Sequence, residues 1–476
     1  MGDSLVMEKI LPIFCIAVLI GIAFAFSENK KKVDWKLVAI GCVMQLCFAF
    51  LILKTDFGRG IFEFLGGIVN RLLDFTNEGA QFVFGGLVKA NPLGSESFGY
   101  IFAFNVLPTI VFFSSFMAIL YHLGIMQKVI YVIALIMQKT LKTSGAESLS
   151  ASANIFVGQT EAPLVVKPYI DKMTRSEIMC VMTGGMATVA GGVMAGYVGM
   201  LHEKIPTIAG HLMAASVMAA PVSMVFSKII VPETEVPETS GKMEFKTESI
   251  DKSVIDACSR GCSEGMSLAI NVAAMLIGFT AMIALVNSCW GGICHLFVDI
   301  KADPNHWVTK IDTLQELLGI LLYPLTFLLG IREEDRVIAG GLIGEKTILN
   351  EFVAYNDLAN NYSGVGSVLE EKTQIILTYA LCGFANFSSI GIQIAGIGGL
   401  APRRRSEIAG MALKALLAAT LTCFFTSSIA SIMFVPTENK QQEEHKEIQK
   451  PPVKQLQERV DNLQKQIDEL IKNNPR

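Results

Sequence analysis

The residues best equipped for chemistry are carboxylates set among amides and hydroxyls in two apolar stretches. One is 147–170, ESLSASANIFVGQTEAPLVVKPYI, with Gln159, Thr160 and Glu161 near its centre. The other is 337–358, VIAGGLIGEKTILNEFVAYNDL, with Asn350 and Glu351. An ionised carboxylate only accepts hydrogen bonds, so it selects ligands with paired hydroxyl donors. Amides and hydroxyls suit a ligand edge that mixes donors and acceptors. A carboxylate in apolar surroundings is costly unless it faces a protein cavity or a ligand.

Those surroundings are a membrane. The 476 residues include 39 Lys and Arg against 43 Asp and Glu, a net charge of −4. Charged residues make up 17% and hydrophobic ones 51%, with a mean hydropathy of +0.48. Soluble proteins carry about 25% charged residues, so a water-soluble enzyme is excluded. The near-neutral balance gives no reason to expect a nucleic-acid partner. Windows almost free of charge lie at 10–26, 37–53, 101–121, 177–200, 207–231, 266–290, 373–400 and 408–435. A helix needs about 20 such residues to cross a bilayer. Acidic Asp3 and Glu8 precede the first window and no small-residue cleavage site follows, so it reads as a retained helix.

The chain does not read as an enzyme. No H-E-x-x-H motif occurs, and no His neighbours either Glu-bearing stretch in sequence. Most of the ten cysteines are isolated in apolar segments, as small core residues are. Cys258 and Cys262 lack further ligands for a zinc site. Cys289 and Cys294 can form a local disulfide if their connection is extracytoplasmic.

Three basic clusters set the orientation: Lys30, Lys31, Lys32 and Lys36; Lys167, Lys172 and Arg175; Arg403, Arg404 and Arg405. The positive-inside rule puts all three in the cytoplasm. The N-terminus and the end of the last helix, near Val435, are then extracytoplasmic. Within 59–75, Ile61, Leu65, Ile68, Leu72 and Phe75 recur at helical spacing opposite Glu63, Asn70, Arg71 and Asp74. That pattern suits a helix lying along the interface, the alternative being burial by neighbouring helices. A polar linker at 233–260 divides the membrane part into halves. The tail 436–476 is polar, with a heptad of Val453, Leu456, Val460, Leu463, Ile467 and Leu470 that predicts a short coiled coil at 453–471.

Gly158 and Pro163 break the helix around the first polar group. Non-helical backbone at membrane depth must be buried in protein or line a cavity, so both Glu-bearing stretches read as re-entrant hairpins. The first is followed by Thr183-Gly184-Gly185 and Thr188-Val189-Ala190-Gly191-Gly192, the second by Cys382-Gly383-Phe384-Ala385-Asn386-Phe387-Ser388-Ser389. Each interrupted span precedes one plain apolar helix. The order hairpin, broken helix, plain helix thus occurs twice, with the hairpins entering from opposite sides. Inverted repeats of this kind mark secondary transporters. Gly184, Gly185, Gly196, Gly398 and Gly399 read first as helix-packing devices, and Glu161 and Glu351 as functional. Glu345 and Lys346 are expected to pair with each other. His122 and His211 read as packed or hydrogen-bonded side chains rather than proton relays.

Taken together, GQTEAP at 158–163, TGGMATVAGGVMAGY at 183–197, NEFVAY at 350–355 and CGFANFSSIGIQIAGIG at 382–398 resemble the concentrative nucleoside transporter family. The resemblance covers about residues 5 to 435. It implies an all-α integral membrane protein with eight transmembrane helices, interfacial helices, two opposed re-entrant hairpins and a homotrimeric assembly. A scaffold, about 8–135 and 261–290, would hold a transport domain, about 145–232 and 313–435, that moves like an elevator.

The resemblance also implies residue roles. Gln159, Thr160 and Glu161 would contact the nucleobase, with Gly158 and Val193 nearby and Phe384 packing on the base. Glu351, Asn386 and Ser389 would hydrogen-bond the ribose hydroxyls. The coupling ion, Na+, would be held by Asn154, Val157, Thr188 and Val189 through oxygen atoms, which suit a hard cation. Thr188 stands where the family also uses serine. Proton-coupled members lack the asparagine, so Asn154 favours sodium, which would order the first hairpin tip for substrate. The expected activity is sodium-coupled nucleoside import across the plasma (inner) membrane. The alternatives are proton coupling or a nucleoside channel.

Overall fold

The computed structural model describes residues 2–88, 101–241, 251–297, 313–363 and 367–434. The tail 436–476, with the expected coiled coil at 453–471, lies outside them. Among the described residues the chain is all-helical.

The first half opens with α1 (Gly2–Ala25), α2 (Trp35–Lys54) and α3 (Asp56–Phe84), then α4 (Phe102–Asn105), α5 (Leu107–His122) and α6 (Ile125–Leu141). It continues with α7 (Gly145–Ala153), α8 (Ala162–Val165), α9 (Lys167–Ile170), α10 (Arg175–Ala187), α11 (Gly191–Leu201) and α12 (Ile208–Ile230). The second half holds α13 (Val254–Phe297), α14 (Leu314–Leu321), α15 (Tyr323–Leu328), α16 (Arg336–Ile348), α17 (Glu351–Asn361), α18 (Glu371–Leu381), α19 (Phe387–Leu400) and α20 (Arg405–Met433).

By length and composition, six helical stretches among the described residues can cross a membrane. They are Trp35–Lys54, Phe102–His122, Arg175–Leu201, Ile208–Ile230, Val254–Gly292 and Pro402–Met433; Ile10–Ala25 and Phe387–Leu400 are shorter apolar helices. The polar interruptions fall where the glycines are. The stretch 177–200 is broken between α10 and α11, and 373–400 between α18 and α19.

Local sequence explains the helix starts. Ser144 with Glu147, and Thr174 with Glu177, form reciprocal capping boxes on α7 and α10. The α17 and α19 starts are capped by Asn350, accepting from Val353 N at 3.0 Å, and Asn386, accepting from Ser389 N at 2.9 Å. The two amide caps place Glu351 and Ser389 in the first turns of their helices.

Small residues set the closest helix contacts. A Cβ added at Gly261 would lie 2.6 Å from Ser115 Cα, and one at Gly265 2.8 Å from Val111 Cα. This small-xxx-small pair lets α13 lie along α5. In the second half, a Cβ at Gly340 would lie 2.7 Å from Gly319 O, which brings α16 against α14. By contrast, α1 and α2 pack on α12 and α20. Gln45 of α2 donates to Thr426 Oγ1 at 3.0 Å in that buried contact.

The amphipathic stretch 59–75 is part of α3, whose Ile61, Leu65, Ile68 and Phe75 remain exposed. Its other face packs on α12, with Gly66 beside Ala209 and Gly210. The three basic clusters meet at one end. Arg175 forms a two-pronged pair with Glu28 in the α1–α2 connection, and Lys414 also donates to Glu28 at 2.7 Å. Arg404 reaches the carbonyls of Ile170 and Met173.

Two expectations are corrected. Cys289 and Cys294 lie in one continuous helix, five residues apart, and Cys289 is a free thiol. Helical geometry keeps such Cα atoms beyond disulfide reach. Glu345 and Lys346 do not pair, because adjacent helical residues point about 100° apart. Lys346 Nζ donates to Ala380 O at 3.1 Å, and Glu345 Oε2 is buried without a hydrogen-bond partner.

Candidate functional site

Four helix breaks converge. The segment between α7 and α8 lies on the α10–α11 break, where Gly191 N donates to Phe156 O at 2.9 Å and a Cβ at Gly158 would touch Ala190. The α18–α19 break lies on the same α10–α11 break, where Phe384 N donates to Thr188 O at 3.3 Å. Gly383 has φ +109°, and a Cβ there would stand 2.7 Å from Ala187 O. Both the conformation and the space therefore demand glycine. The α16–α17 break joins through Glu351, described next.

Glu351 is buried and accepts one hydrogen bond on each oxygen. Tyr197 Oη donates to Oε1 at 2.9 Å, and Asn386 Nδ2 donates to Oε2 at 2.7 Å. Asn386 Oδ1 in turn accepts from Ser388 Oγ at 2.7 Å besides capping α19. Ser389 Oγ accepts from Gln159 Nε2 at 3.1 Å. Gln159 Oε1 accepts from Gln393 Nε2 at 3.3 Å, and the same nitrogen donates to Met182 O at 3.0 Å. A run of hydrogen-bonded polar residues thus links the α7–α8 connection to the first turns of α17 and α19.

The sequence-predicted residues divide accordingly. Gln159, Glu351, Asn386 and Ser389 are brought into direct contact. Thr160 packs against α19, where a Cβ at Gly396 would lie 3.2 Å from its Cγ2. Val193 and Phe384 are buried beside the breaks. Glu161 is placed differently from Glu351. It is exposed, and its side chain folds over Gly158, where a Cβ would overlap Oε2.

Two members of the network were not foreseen, Tyr197 and Gln393. Both are fully buried. The signal for Gln393 was an amide within an otherwise apolar span, which needs partners in the protein. Gly185, read as a packing glycine, makes room for the pair. A Cβ there would lie 2.6 Å from Gln393 Nε2 and 3.0 Å from Gln159 Cβ. His211 is as read, its Nδ1 3.1 Å from Tyr379 Oη.

The residues expected to hold an ion also lie at the breaks. Asn154 caps the C-terminus of α7 and is fully buried. Its Nδ2 donates to Ser150 O at 3.0 Å, while its Oδ1 has no partner. Thr188 ends α10 and donates its hydroxyl proton to Gly184 O at 2.9 Å, which leaves the oxygen free to accept. A Cβ at Gly184 would lie 3.3 Å from Asn154 Nδ2, so α10 meets α7 here. Val157 and Val189 stand in the adjoining connections. An orphaned buried oxygen beside two helix ends with spare carbonyls fits a hard monovalent cation. No group of three His, Cys, Asp or Glu suited to a metal occurs among the described residues.

Comparison with known proteins agrees along the chain. Residues 14–87 match a family described as Na+ dependent nucleoside transporter N-terminus, 103–204 one described as nucleoside recognition, and 211–431 one described as Na+ dependent nucleoside transporter C-terminus. The transporter YutK of Bacillus subtilis is 44% identical, over 88% of this chain and 97% of its own. Nucleoside permease NupC of Helicobacter pylori is 40% identical, over 90% and 98%. The solved structure of CNTnw in an inward-facing substrate-bound state superposes with a TM-score of 0.81 at 40% identity, covering 90% of this chain and 98% of that one. The chain is thus a multi-pass membrane protein of the concentrative nucleoside transporter family.

Proposed function

We propose that this protein is a sodium-coupled symporter that imports nucleosides across the plasma (inner) membrane. The observation that carries the reading is the hydrogen-bonded run from Gln159 to Glu351, with the orphaned Asn154 Oδ1 beside it. A nucleoside has a base edge of mixed donors and acceptors and, on its sugar, neighbouring hydroxyl donors. Gln159 and Thr160 would take the base edge, Glu161 would reach it from its exposed position, and Gly158, Val193 and Phe384 would pack around it. Glu351, Asn386 and Ser389 would take the ribose hydroxyls. The protein groups now bonded to one another would exchange partners with the ligand, so few buried polar atoms go unsatisfied in either state.

Sodium, as co-substrate, would be held by Asn154, Thr188 and the carbonyls of Val157 and Val189, supplying positive charge beside the first tip. The family descriptions name sodium, and Asn154 is the residue that favours it here. We read 147–170 and 337–358 as re-entrant hairpins of opposite entry, within inverted repeats and eight membrane crossings. The scaffold would comprise about 8–135 and 261–290, and the transport domain about 145–232 and 313–435, moving as an elevator in a homotrimer. Because α1 and α2 pack on α12 and α20, we revise that division: α1 and α2 move with the transport domain, and the sliding surface runs along α5 and α13. The meeting of the basic clusters at one end supports a cytoplasmic placement for that end and extracytoplasmic termini.

The test is uptake of radiolabelled uridine and adenosine into proteoliposomes under a sodium or a proton gradient. Sodium-driven accumulation is expected. Accumulation driven by protons alone would overturn the ion assignment, and equilibration without accumulation would indicate a channel.

A further inference from the structure

The geometry points to Tyr197 as the positioning residue that sets discrimination between ribonucleosides and their deoxy analogues, by fixing the plane of the Glu351 carboxylate. This rests on the reading that Glu351 receives the ribose hydroxyls. Tyr197 lies on α11, in the first half of the chain, and Glu351 opens α17 in the second.

Each Glu351 oxygen has one side-chain donor: Tyr197 Oη on Oε1 at 2.9 Å and Asn386 Nδ2 on Oε2 at 2.7 Å. An ionised carboxylate has about four acceptor positions, two per oxygen. Two side-chain donors fixed on opposite oxygens stop the carboxylate rotating and hold its remaining acceptor positions in one plane. That matches two neighbouring hydroxyl donors of fixed spacing, and it matches a single hydroxyl poorly.

The donors are themselves held. Asn386 is pinned by the α19 cap and Ser388. Tyr197 is fully buried, its ring 4.8 Å from that of Phe352 at 68° and 4.6 Å from that of Tyr355. The phenol therefore has one place to donate. Neither neighbour substitutes for it, because Phe352 has no donor and Tyr355 Oη donates to Thr378 O at 2.7 Å. With the phenol proton removed, Asn386 would be the one side chain left to orient the carboxylate, and the oxygen facing Tyr197 would lose its side-chain donor.

The experiment compares uridine, 2′-deoxyuridine and 3′-deoxyuridine in sodium, by Kd on purified protein and KM in proteoliposomes. Tyr197→Phe keeps the ring and removes the donor. The uridine KM is expected to rise about tenfold, as loss of one oriented charge-assisted hydrogen bond gives. The ratio of deoxyuridine to uridine KM should fall toward one, because the deoxy analogues already lack the matched pair. Tyr355→Phe, which removes a phenol bonded to Thr378 O and not to Glu351, should preserve that ratio. Tyr197→Met repeats the test with a donor-free chain of another shape if the Phe variant is not recovered folded. Glu351→Gln separates the two layers. A ratio lost in Glu351→Gln but kept in the Tyr197 variants overturns the role of Tyr197 and leaves the ribose assignment intact. A ratio kept in both overturns the ribose assignment and the inference with it.

Discussion

Asn386 Nδ2 donates to Glu351 Oε2 at 2.7 Å, joining the N-cap of α19 to the first residue of α17. One asparagine thus caps a helix with its oxygen and holds a buried carboxylate with its nitrogen. Glu351→Gln keeps the shape but replaces one acceptor oxygen with a donor nitrogen, which must face Tyr197 Oη or Asn386 Nδ2. Against Asn386 Nδ2 a donor meets a donor, leaving buried groups unpaired at about 1–3 kcal/mol each; against Tyr197 Oη the phenol must turn acceptor, and the acceptor a ribose hydroxyl would use is lost. Uridine uptake should fall at least about 100-fold, while the variant remains folded by size-exclusion chromatography. Normal uptake would remove Glu351 from the site.

Asn154 offers the opposite situation, an acceptor with nothing to accept from. Its Oδ1 is buried and unpartnered, whereas its Nδ2 is fixed on Ser150 O. Asn154→Ala should raise the sodium concentration for half-maximal uptake about tenfold, or about 1.4 kcal/mol. Sodium should also raise the melting temperature of the wild type more than that of the variant, since a ligand stabilises the state that binds it. An unchanged sodium titration places the ion elsewhere.

The sequence and the structure differ in an instructive way. Glycines and amides at the breaks were legible because they conflict with a plain apolar helix, and Asn154, Gln159, Glu351, Asn386 and Ser389 all lie where that conflict pointed. Tyr197 was not legible, since the AGY stretch reads as ordinary helix packing and the phenol's partner lies 154 residues away. Gln393 was quoted within a motif, but its partners Gln159 and Met182 come from the other half of the chain. The Glu345–Lys346 expectation failed on local geometry, because adjacency in sequence is not adjacency on a helix face. The membrane class followed from charge depletion alone, and pairings between distant segments needed the coordinates.

Gly185 shows how closely the two amides are fitted. An added methyl would meet Gln393 Nε2 at 2.6 Å, Gln159 Cβ at 3.0 Å and Gln159 Cα at 3.3 Å. The first contact can yield by rotation, but the backbone of Gln159 cannot yield without shifting the α7–α8 connection. Gly185→Ala should therefore destabilise by about 1–3 kcal/mol, as overpacking does. It should also reduce uptake of uridine and adenosine together. Wild-type uptake with an unchanged melting temperature would mean that the tip has more freedom than this packing allows.

Glu28 governs a pH response outside the membrane-spanning helices. Hydrogen bonds from Arg175 and Lys414, with their positive charges, hold its carboxyl down to about 2 against the opposing effect of burial. A carboxylate whose pKa is lowered on folding stabilises the fold above its ordinary value, near 4.5. That contribution is lost as pH falls from there through about 2. The side chain is 27% exposed, so its worth is that of a partly screened pair, about 1 kcal/mol. Glu28→Gln should melt below the wild type at pH 7, and the gap should close between about pH 5 and 2. The same comparison in 1 M salt should narrow the pH 7 gap, because screening weakens charge pairs that solvent reaches. A gap that stays constant across the pH range would show that Glu28 acts through its shape and not its charge.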